Sequence, residues 1–366
     1  MSKRHFLMLA QKLDIKKHSV AGQFMSEKLD GCRCFWDGGA SRGVLASQVP
    51  WANTEKDGRL KTPPIATGLW SRYGKVIHAP EWFLNNLPSF LCDGELYAGP
   101  GRFQFLMSTV KKQEPDEADW QFVHYRVFDT PHPSAVFADG KINEPNFKKT
   151  FKQCYWWFVD KFKGPMFHSS CTFQDLYSIM QRTMQENQYV RLHPQEQLPF
   201  STVPAVARIE ARMAEIVNAG GEGVMIRRAA SIWTPERSWD LMKYKPFLDA
   251  EGTVVGYQWG RETDKGSKLL GLMGAMEVEW EGKRFWLSGF TDEERTMTTT
   301  YQRNPPSTAI TGEEYARVVG SKHPGETVDL DFQNQQFPRG SKVTFKYREL
   351  TDEGLPKEAR YWRTAE

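Results

Sequence analysis

The chain has 366 residues and a mass of 42.2 kDa, and it is 40% hydrophobic, 25% charged and 13% aromatic. This composition is typical of a globular protein and excludes a fibrous or disordered chain. At roughly 150 residues per domain, the length predicts two domains. No apolar run is long enough to span a membrane. Charged residues interrupt the apolar ones in Met1–Leu13, so the sequence lacks the apolar core of a signal peptide.

The charge is unevenly distributed along the chain. Residues 1–247 carry 32 Lys and Arg against 25 Asp and Glu, whereas residues 248–366 carry 16 against 20. A basic first part attracts a polyanion such as nucleic acid, although a chance surplus on a solvated surface explains the numbers equally well. The five cysteines form no C-x-x-C pair, which favours free thiols in a reduced, cytoplasmic location.

The first 247 residues mix predicted strands with predicted helices. A polar loop is expected over Asn53–Pro64, and one helix begins near Ala79–Phe83 with a proline in its first turn. A second helix is predicted over Pro204–Ala219, where apolar residues share one face. Strand-like runs, several with alternating polarity, cover Ala21–Phe35, Phe90–Tyr97, Phe122–Phe128 and Gly223–Arg227. This pattern predicts an α+β domain over residues 1–247.

Beyond residue 247 the sequence predicts short strands separated by glycine-rich turns. Glu281-Gly282 fits a tight hairpin, and residues 296–337 form a polar, irregular insertion. The predicted strands cover Gly252–Tyr257, Ala275–Trp280, Arg284–Leu287 and Lys342–Tyr347. About five short strands in this length favour a small barrel of the OB type, which binds nucleic acid. We therefore expect an all-β OB-fold domain over residues 248–366.

The strongest local signal is the run Lys28–Arg33 (KLDGCR). A lysine is nucleophilic only when neutral, so a catalytic lysine needs a pKa lowered by desolvation or by nearby cations. Lys243 and Lys245 alternate on one strand and therefore share a face. That face would hold a phosphate and depress the pKa of a third lysine. An ordinary Asp-Gly turn beside a solvated lysine is the alternative.

Two glutamates, one aromatic residue and one arginine extend this pattern. Glu95 and Glu222 each follow or precede a glycine at a predicted strand edge, and carboxylates near phosphates typically bind Mg²⁺. Phe128 ends a strand and would stack on a base, with core packing as the alternative. Arg72 lies in a short polar turn and would clamp a phosphate, although a surface loop explains it as well. Ser41–Gly43, which contains Arg42, competes with Arg72 for this role.

In order and spacing, these elements resemble the nucleotidyltransferase motifs of ATP-dependent DNA ligases of the minimal bacterial and phage type. The similarity spans roughly residues 21–295, with a weaker tail over Phe337–Arg363. The matching motifs are Lys28–Arg33 (motif I), Ser71–Gly74 (Ia), Asp93–Leu96 (III), Val127–Asp129 (IIIa), Glu222–Arg227 (IV) and Leu241–Lys245 (V). Motif VI is shorter than usual at Pro356–Arg363, where Arg360 or Arg363 would orient the leaving pyrophosphate.

The resemblance implies a nucleotidyltransferase (adenylation) domain followed by an OB-fold domain. It also implies three phosphoryl transfers that use ATP and Mg²⁺, with Mn²⁺ as a substitute. Lysyl-AMP forms first, the AMP then passes to the 5′-phosphate of a nick in duplex DNA, and the 3′-hydroxyl finally displaces it. The implied partner is nicked duplex DNA, with no membrane, and the implied state is a monomer.

The resemblance also assigns roles by position. The implied nucleotide-binding residues are Glu27, Lys28 (the nucleophile), Arg33, Glu95, Phe128, Lys243 and Lys245. The implied metal ligands are Glu95 and Glu222. The implied DNA contacts are Asp30 near the 3′-hydroxyl, Arg33 and Arg72 on the 5′-phosphate, and Lys265 and Lys268 in the second domain.

Three other functions share parts of this pattern. An RNA ligase and an mRNA-capping guanylyltransferase share the K-x-D-G signature and the two-domain plan, and the second would use GTP. A non-catalytic nucleic-acid-binding protein with a retained fold is the alternative from another class. The local amino-acid sequences around Glu222 and Lys243 favour a DNA ligase.

Overall fold

The computed structural model describes residues 6–54, 64–137, 151–245, 247–260, 268–269, 272–300, 309–311, 332–348, 350–351 and 353–364. The chain divides into two compact units, Met1–Lys245 and Pro246–Glu366. This division lies close to the boundary expected from the sequence. Lys265 and most of the expected insertion over residues 296–337 lie outside the described residues.

Unit 1 contains two five-stranded sheets with helices. Its strands are β1 (Leu9–Lys12), β2 (Phe24–Glu27), β3 (Cys32–Asp37), β4 (Leu69–Ser71), β5 (Leu91–Tyr97), β6 (His124–Asp129), β7 (Val190–Leu192), β8 (Glu196–Gln197), β9 (Val224–Arg227) and β10 (Arg237–Tyr244). The first sheet has the order β1-β10-β9-β2-β8, and the second has the order β4-β3-β5-β6-β7. Strands distant in sequence thus become neighbours within each sheet.

The helices of unit 1 cover the sheets. They are α1 (Glu81–Asn85), α2 (Phe103–Val110), α3 (Glu117–Trp120), α4 (Pro133–Phe137), α5 (Phe151–Lys161), α6 (Phe173–Thr183) and α7 (Thr202–Asn218). The apolar face of α7 packs Ile209 and Ile216 into one cluster with Val224 and Ile226 of β9. Because side chains alternate along a strand, this packing turns the intervening residues of β9 to the other face of the sheet. Among the described residues, none of the helices is long and apolar enough to cross a membrane.

Unit 2 is built around a five-stranded antiparallel sheet. The strands of the whole unit are β11 (Leu248–Trp259), β12 (Met273–Trp280), β13 (Lys283–Leu287), β14 (Thr298–Thr300), β15 (Ala309–Thr311), β16 (Phe332–Gln333), β17 (Lys342–Tyr347) and β18 (Arg360–Thr364). The main sheet has the order β13-β12-β11-β17-β18. A parallel bridge between Ser288 and Arg360 joins its two edges. This closure gives the five-stranded barrel connectivity of an OB fold.

The segment expected to be irregular contains three short strands. β14, β15 and β16 form a separate sheet with the order β15-β14-β16. The expectation of an irregular segment was therefore wrong for these residues. Strands of two or three residues are too short to produce a recognisable alternation in the sequence.

The predicted hairpin at Glu281-Gly282 is present. Trp280 pairs with Lys283, so the loop has two residues. Both loop residues have positive φ, 50° at Glu281 and 72° at Gly282. Positive φ at both positions is the type I′ geometry, whose twist matches that of the flanking strands.

The five cysteines are free, as predicted.

We expect Phe345→Ala to destabilise the barrel of unit 2. The Phe345 side chain is fully buried and packs against Trp280 and Phe285. Removing a buried aromatic ring leaves a cavity and costs about 3–5 kcal/mol. Hydrogen-exchange mass spectrometry of peptides from β11 and β17 should show an opening free energy lower by that amount. Lys342→Ala, at an exposed position of the same strand, should change it by less than about 0.5 kcal/mol. Equal effects of the two changes would contradict the assigned core.

Candidate active site

A cavity of about 260 Å³ opens in unit 1, and residues of both sheets line it. β2, β9 and β10 contribute from the first sheet, and β3, β5 and β6 contribute from the second. Eight residues singled out from the sequence line this cavity: Glu27, Lys28, Arg33, Arg72, Glu95, Phe128, Lys243 and Lys245. The fold therefore brings together side chains that are up to 218 positions apart in the sequence.

Two lysines at the cavity share one carboxylate. The ammonium groups of Lys28 and Lys245 both form ion pairs with Glu222. The Glu222 side chain is 11% exposed, so these charges lie largely out of water. The Lys28 backbone N–H donates to the Gly223 carbonyl at 2.7 Å, which fixes the end of β2 against the start of β9. An anion that enters the cavity at this end therefore meets two ammonium groups.

The glycine after Asp30 is required by a close approach of two segments. A Cβ on Gly31 would lie 2.4 Å from the Leu96 carbonyl oxygen and 2.6 Å from Glu95 Cγ. Such distances leave no space for any other side chain. Gly31 thus lets the segment after Lys28 contact β5, and this places Lys28 close to Glu95. Burial raises the pKa of Glu95, while the nearby cations Lys28 and Arg33 act in the opposite direction.

Arg33 is anchored by a buried carboxylate. Its Nε and Nη2 donate to the two oxygens of Asp93 at 2.6 and 2.7 Å. Asp93 is fully buried and also accepts from the Trp233 indole N–H at 2.8 Å. The Arg33 guanidinium lies 4.5 Å from the centroid of the Phe128 ring. This bidentate pair fixes the guanidinium and the aromatic ring relative to each other.

Apolar side chains line a large part of the rest of the cavity. Phe128 at the end of β6 and Met225 on β9 are both half-buried and both line the cavity. The other apolar lining residues are Met8, Leu9, Ala10, Leu29, Phe173, Trp233 and Leu241. A cavity lined by apolar side chains and by several cations suits a ligand that combines a flat ring with a phosphate.

Several further polar residues of the cavity were not singled out from the sequence, among them Asp129, Arg227 and His193. Arg227 forms an ion pair with Asp129 at 3.3 Å, and both side chains are about 95% buried. Burial raises the pKa of Asp129 to about 6, even though Arg227 opposes this shift. His193 donates through Nε2 to the Glu27 carbonyl at 2.8 Å, and burial lowers its pKa to about 4. Asp129 and Arg227 lie inside matched motifs, which could have drawn attention to them, whereas His193 carries no sequence signal.

The remaining predicted residues of unit 1 have different surroundings. Arg72 lines the cavity, is exposed, and donates to the Tyr73 hydroxyl at 2.6 Å. Asp30 is half-buried and is not among the lining residues. Arg42, the competitor of Arg72, forms an ion pair with Glu81 and donates to Asn85 at 2.8 Å. Arg72 is therefore the better placed of the two arginines.

The carboxylates of the site are compatible with a hard divalent cation. Glu95 lines the cavity with a raised pKa, so a nearby cation would stabilise its ionised form. Glu222 forms an ion pair with Lys28, whose charge also acts on Glu95. Within the described part of the chain, no group of three or more His, Cys, Asp or Glu side chains forms a complete metal site. Mg²⁺ commonly binds through one or two carboxylates together with substrate phosphates, so this donor set fits Mg²⁺.

The predicted residues of unit 2 that the structure describes lie on its surface. Lys268, Arg360 and Arg363 are exposed. On β18, Trp362 is flanked by two cations, with the Lys346 ammonium 3.3 Å and the Arg363 guanidinium 5.0 Å from its ring centroid. This cluster combines a ring with positive charge on the barrel surface.

Comparison with known proteins identifies similar chains. A DNA ligase of Haemophilus influenzae is 24% identical over 345 residues, which cover 94% of this chain and 87% of that protein. A solved structure from a study of Lig E DNA ligases has a TM-score of 0.60 at 23% identity and covers 98% of both chains. The structure designated Pmar-Lig has a TM-score of 0.56 at 18% identity and covers 98% of this chain and 67% of that one. No family model matches the chain.

These similarities first establish the fold of the chain. The chain has the α+β fold of DNA ligase catalytic cores, a nucleotidyltransferase domain followed by an OB-fold domain, so the predicted fold class is confirmed. The chain also resembles the Haemophilus influenzae DNA ligase over nearly its whole length. The resemblance predicted from the motifs is therefore confirmed.

We expect His193→Gln to change how stability depends on pH. The pKa of His193 is about 4 in the folded protein, against an ordinary value of 6.5. A lowered folded-state pKa stabilises the protein above pH 6.5, and this contribution is lost as the pH falls from 6.5 to 4. The difference in free energy of unfolding between wild type and variant should fall by about 3 kcal/mol from pH 7 to pH 4. Denaturant titrations across this pH range measure it.

Two buried aspartates act in the opposite direction over part of this range. The pKa values of Asp37 and Asp129 are raised to about 6, so they favour the folded state as the pH falls. Both are present in wild type and variant, so the difference isolates His193. His168→Gln, at an exposed histidine, serves as the control. A difference between wild type and His193→Gln that does not vary with pH would contradict the buried, neutral state of His193.

Proposed function

We propose that this chain is an ATP-dependent DNA ligase that seals 3′-hydroxyl/5′-phosphate nicks in duplex DNA through lysyl-AMP and adenylated DNA. The observation that carries the proposal is the convergence of Lys28 and Lys245 on Glu222 at one end of an aromatic-walled cavity. The named relative, a DNA ligase aligned with 94% of the chain, supports the same activity.

The site suits the first step, in which AMP is transferred to the enzyme. Neutral Lys28 Nζ attacks the α-phosphorus of ATP, an N–P bond forms, and the P–O bond to pyrophosphate breaks. Lys243 and Lys245 neutralise the charge of the α-phosphate. Phe128 stacks on the adenine. Glu27 lies beside the nucleotide, and His193 holds its backbone by donating to the Glu27 carbonyl. The protein contributes mainly positioning and charge neutralisation, as is usual in phosphoryl transfer.

Glu95 and Glu222 are the residues that would hold Mg²⁺, or Mn²⁺ in its place. When bound, the ion neutralises negative charge on the phosphates during transfer. Glu95 also lies near the ribose. Because Glu222 contacts both lysines in this structure, its carboxylate would hold the ion close to the cations that neutralise the α-phosphate.

The second and third steps require DNA. Arg33 and Arg72 hold the 5′-phosphate of the nick, and Asp30 lies near the 3′-hydroxyl. The bidentate pair with Asp93 orients Arg33 before the phosphate arrives. Lys265 and Lys268 of unit 2 contact the duplex backbone, and Arg360 or Arg363 orients pyrophosphate in the first step. The enzyme acts as a monomer, in a reduced cytoplasmic compartment, in DNA repair or replication.

We expect wild-type protein incubated with Mg²⁺ and an equal mixture of ATP and GTP to gain the mass of one AMP. Lys28→Ala should gain none, because it lacks the nucleophile. Intact-mass spectrometry measures both, and the starting mass reveals any protein purified already adenylated. A gain of GMP would favour a guanylyltransferase instead, and a Lys28→Ala protein that still seals nicked DNA would contradict the mechanism.

We expect Lys265→Ala with Lys268→Ala to weaken binding to nicked DNA and to reduce its salt dependence. Each phosphate contact that is lost lowers the slope of log affinity against log salt by about 0.9, so the double variant should lose about two. Fluorescence anisotropy at several salt concentrations measures the slope. Lys161→Ala with Lys163→Ala removes the same charge from exposed positions of unit 1 and serves as the control. An unchanged slope in the unit 2 variant would contradict the assignment of Lys265 and Lys268 as DNA phosphate contacts.

A further inference from the structure

Two arginines lie side by side on neighbouring strands of the second sheet. β6 and β7 run parallel, and their register pairs Arg126 with Arg191. Neighbouring strands are about 4.8 Å apart, and residues that pair across them extend from the same face of the sheet. Like charges directly opposite each other repel and destabilise a sheet. In the free protein, this arginine pair is therefore an unfavourable arrangement.

The surrounding residues do not neutralise the two guanidinium groups. Among the residues that the structure describes, Arg126 and Arg191 form no side-chain hydrogen bond, ion pair or ring contact. Burial lowers the pKa of Arg126, and the charge of Arg191 lowers it further, while Glu186 acts in the opposite direction. However, Glu186 Oε1 accepts from the Leu192 backbone N–H at 2.8 Å. The arginine pair therefore lacks an anion that a ligand can provide.

The arginine pair lies beside the active-site cavity, on the same face of the sheet. Phe128 of β6 and His193, directly after β7, line the cavity, and each lies two positions after one of the arginines. Residues two apart in a strand share a face, and the His193 N–H continues the ladder by donating to the Val127 carbonyl at 2.6 Å. The arginines themselves do not line the cavity, and Arg191 is exposed. A ligand too large for the cavity can therefore reach them from outside.

The arginine pair ends a row of charged residues that crosses the second sheet. The register aligns one residue from each of β3, β5, β6 and β7, namely Arg33, Glu95, Arg126 and Arg191. Within this row, Glu95 is the one carboxylate beside three cations. Asp93 compensates Arg33 from outside the row. The positive charge that remains lies on β6 and β7.

A phosphate group is the ligand that suits two adjacent guanidinium groups. The planar guanidinium binds phosphate oxygens through two parallel N–H donors. Two phosphate sources exist under the proposed function, the triphosphate of ATP and the backbone of DNA. The triphosphate has its own cations inside the cavity, at Lys28, Lys243 and Lys245. The position of the arginine pair outside the cavity favours the DNA backbone.

The neighbours of Arg126 indicate which DNA strand is bound. Burial raises the pKa of Tyr97 to about 12, and the charges of Arg126 and Asp30 are among those that also act on its hydroxyl. Arg126 and Asp30 are therefore both near Tyr97. We propose that Arg126 and Arg191 together bind one backbone phosphate of nicked DNA, in the strand that ends in the 3′-hydroxyl. The choice of strand rests on the proposed function, in which Asp30 lies near that hydroxyl.

The experiment measures binding to a nicked duplex by fluorescence anisotropy. The protein is first incubated with ATP and Mg²⁺, and EDTA is then added so that no nick is sealed. Single neutral methylphosphonate linkages are placed in turn along each strand around the nick. For wild type, one such linkage in the strand that ends in the 3′-hydroxyl should weaken binding by about tenfold, a usual effect for a hydrogen bond to a charged group.

The arginine variants should no longer respond to that linkage. Arg126→Met and Arg191→Met should each bind the unmodified duplex about tenfold more weakly than wild type. The methylphosphonate that weakens wild type should cause no further loss in either variant. Because the two arginines share one phosphate, the slope of log affinity against log salt should fall by about 0.9 in each single variant and in the double variant.

Arg182→Met is the matched control, because it removes the same charge from an exposed position in the last turn of α6. It should bind the unmodified duplex as wild type does and keep the response to the methylphosphonate. Thermal denaturation tests a purely structural role of the arginine pair. Removing one of two repelling cations should leave the melting temperature equal to or above that of wild type. A clear fall in both arginine variants would show that the pair stabilises the fold and would overturn the proposal.

The other failures are distinguishable from one another. A methylphosphonate response that persists in both arginine variants would overturn the proposal, and so would a response that they lose only in another strand. Weaker formation of lysyl-AMP in the variants, with unchanged affinity for DNA, would assign the pair to the triphosphate of ATP instead. Absence of lysyl-AMP and of nick sealing with wild-type protein would overturn the proposed function, whereas the binding data, which require no sealing, would still decide whether the arginine pair contacts a phosphate.

Discussion

The need to pair buried charge governs the structure of unit 1. Its cavity gathers cations that would repel one another in a low-dielectric interior. Three carboxylates each pair with different cations. Glu222 pairs with Lys28 and Lys245, Asp93 pairs with Arg33, and Asp129 pairs with Arg227. Removing one partner of a largely buried ion pair, such as Asp129 beside Arg227, is strongly destabilising because a buried charge loses its compensation. The strands that carry these side chains therefore have to meet with little freedom in register.

Under the proposed function, the same pairing would prepare the cavity for a nucleotide. The cavity is lined by cations, by apolar and aromatic side chains, and by carboxylates that pair with several of the cations. Because the charged groups are held by carboxylates before a ligand binds, little reorganisation is needed when the phosphate arrives. Under the proposed function, binding and catalysis would therefore depend on the same contacts that stabilise the fold.

Local signals in the sequence predicted the elements best where the pattern was long or the turn chemistry was specific. The helix expected over Pro204–Ala219 corresponds to Thr202–Asn218, and the Glu281-Gly282 hairpin is present with positive φ at both residues. The weak predictions concern short elements, such as the three strands within the expected insertion. Two or three residues contain too little periodicity to distinguish a strand from a loop.

The sequence by itself determined the motif order, the candidate nucleophile Lys28 and the two-unit plan, because these depend on residue identity and local spacing. Only the tertiary structure decided which charges pair. Lys28 meets Glu222 across 194 positions, Arg227 meets Asp129 across 98, and His193 meets Glu27 across 166. Local periodicity specifies which face of a strand is buried, but it does not specify which strands become neighbours. The pairing of Arg227 with Asp129 and the burial of His193 depend on which segments lie together in the fold, and local patterns in the sequence do not specify this.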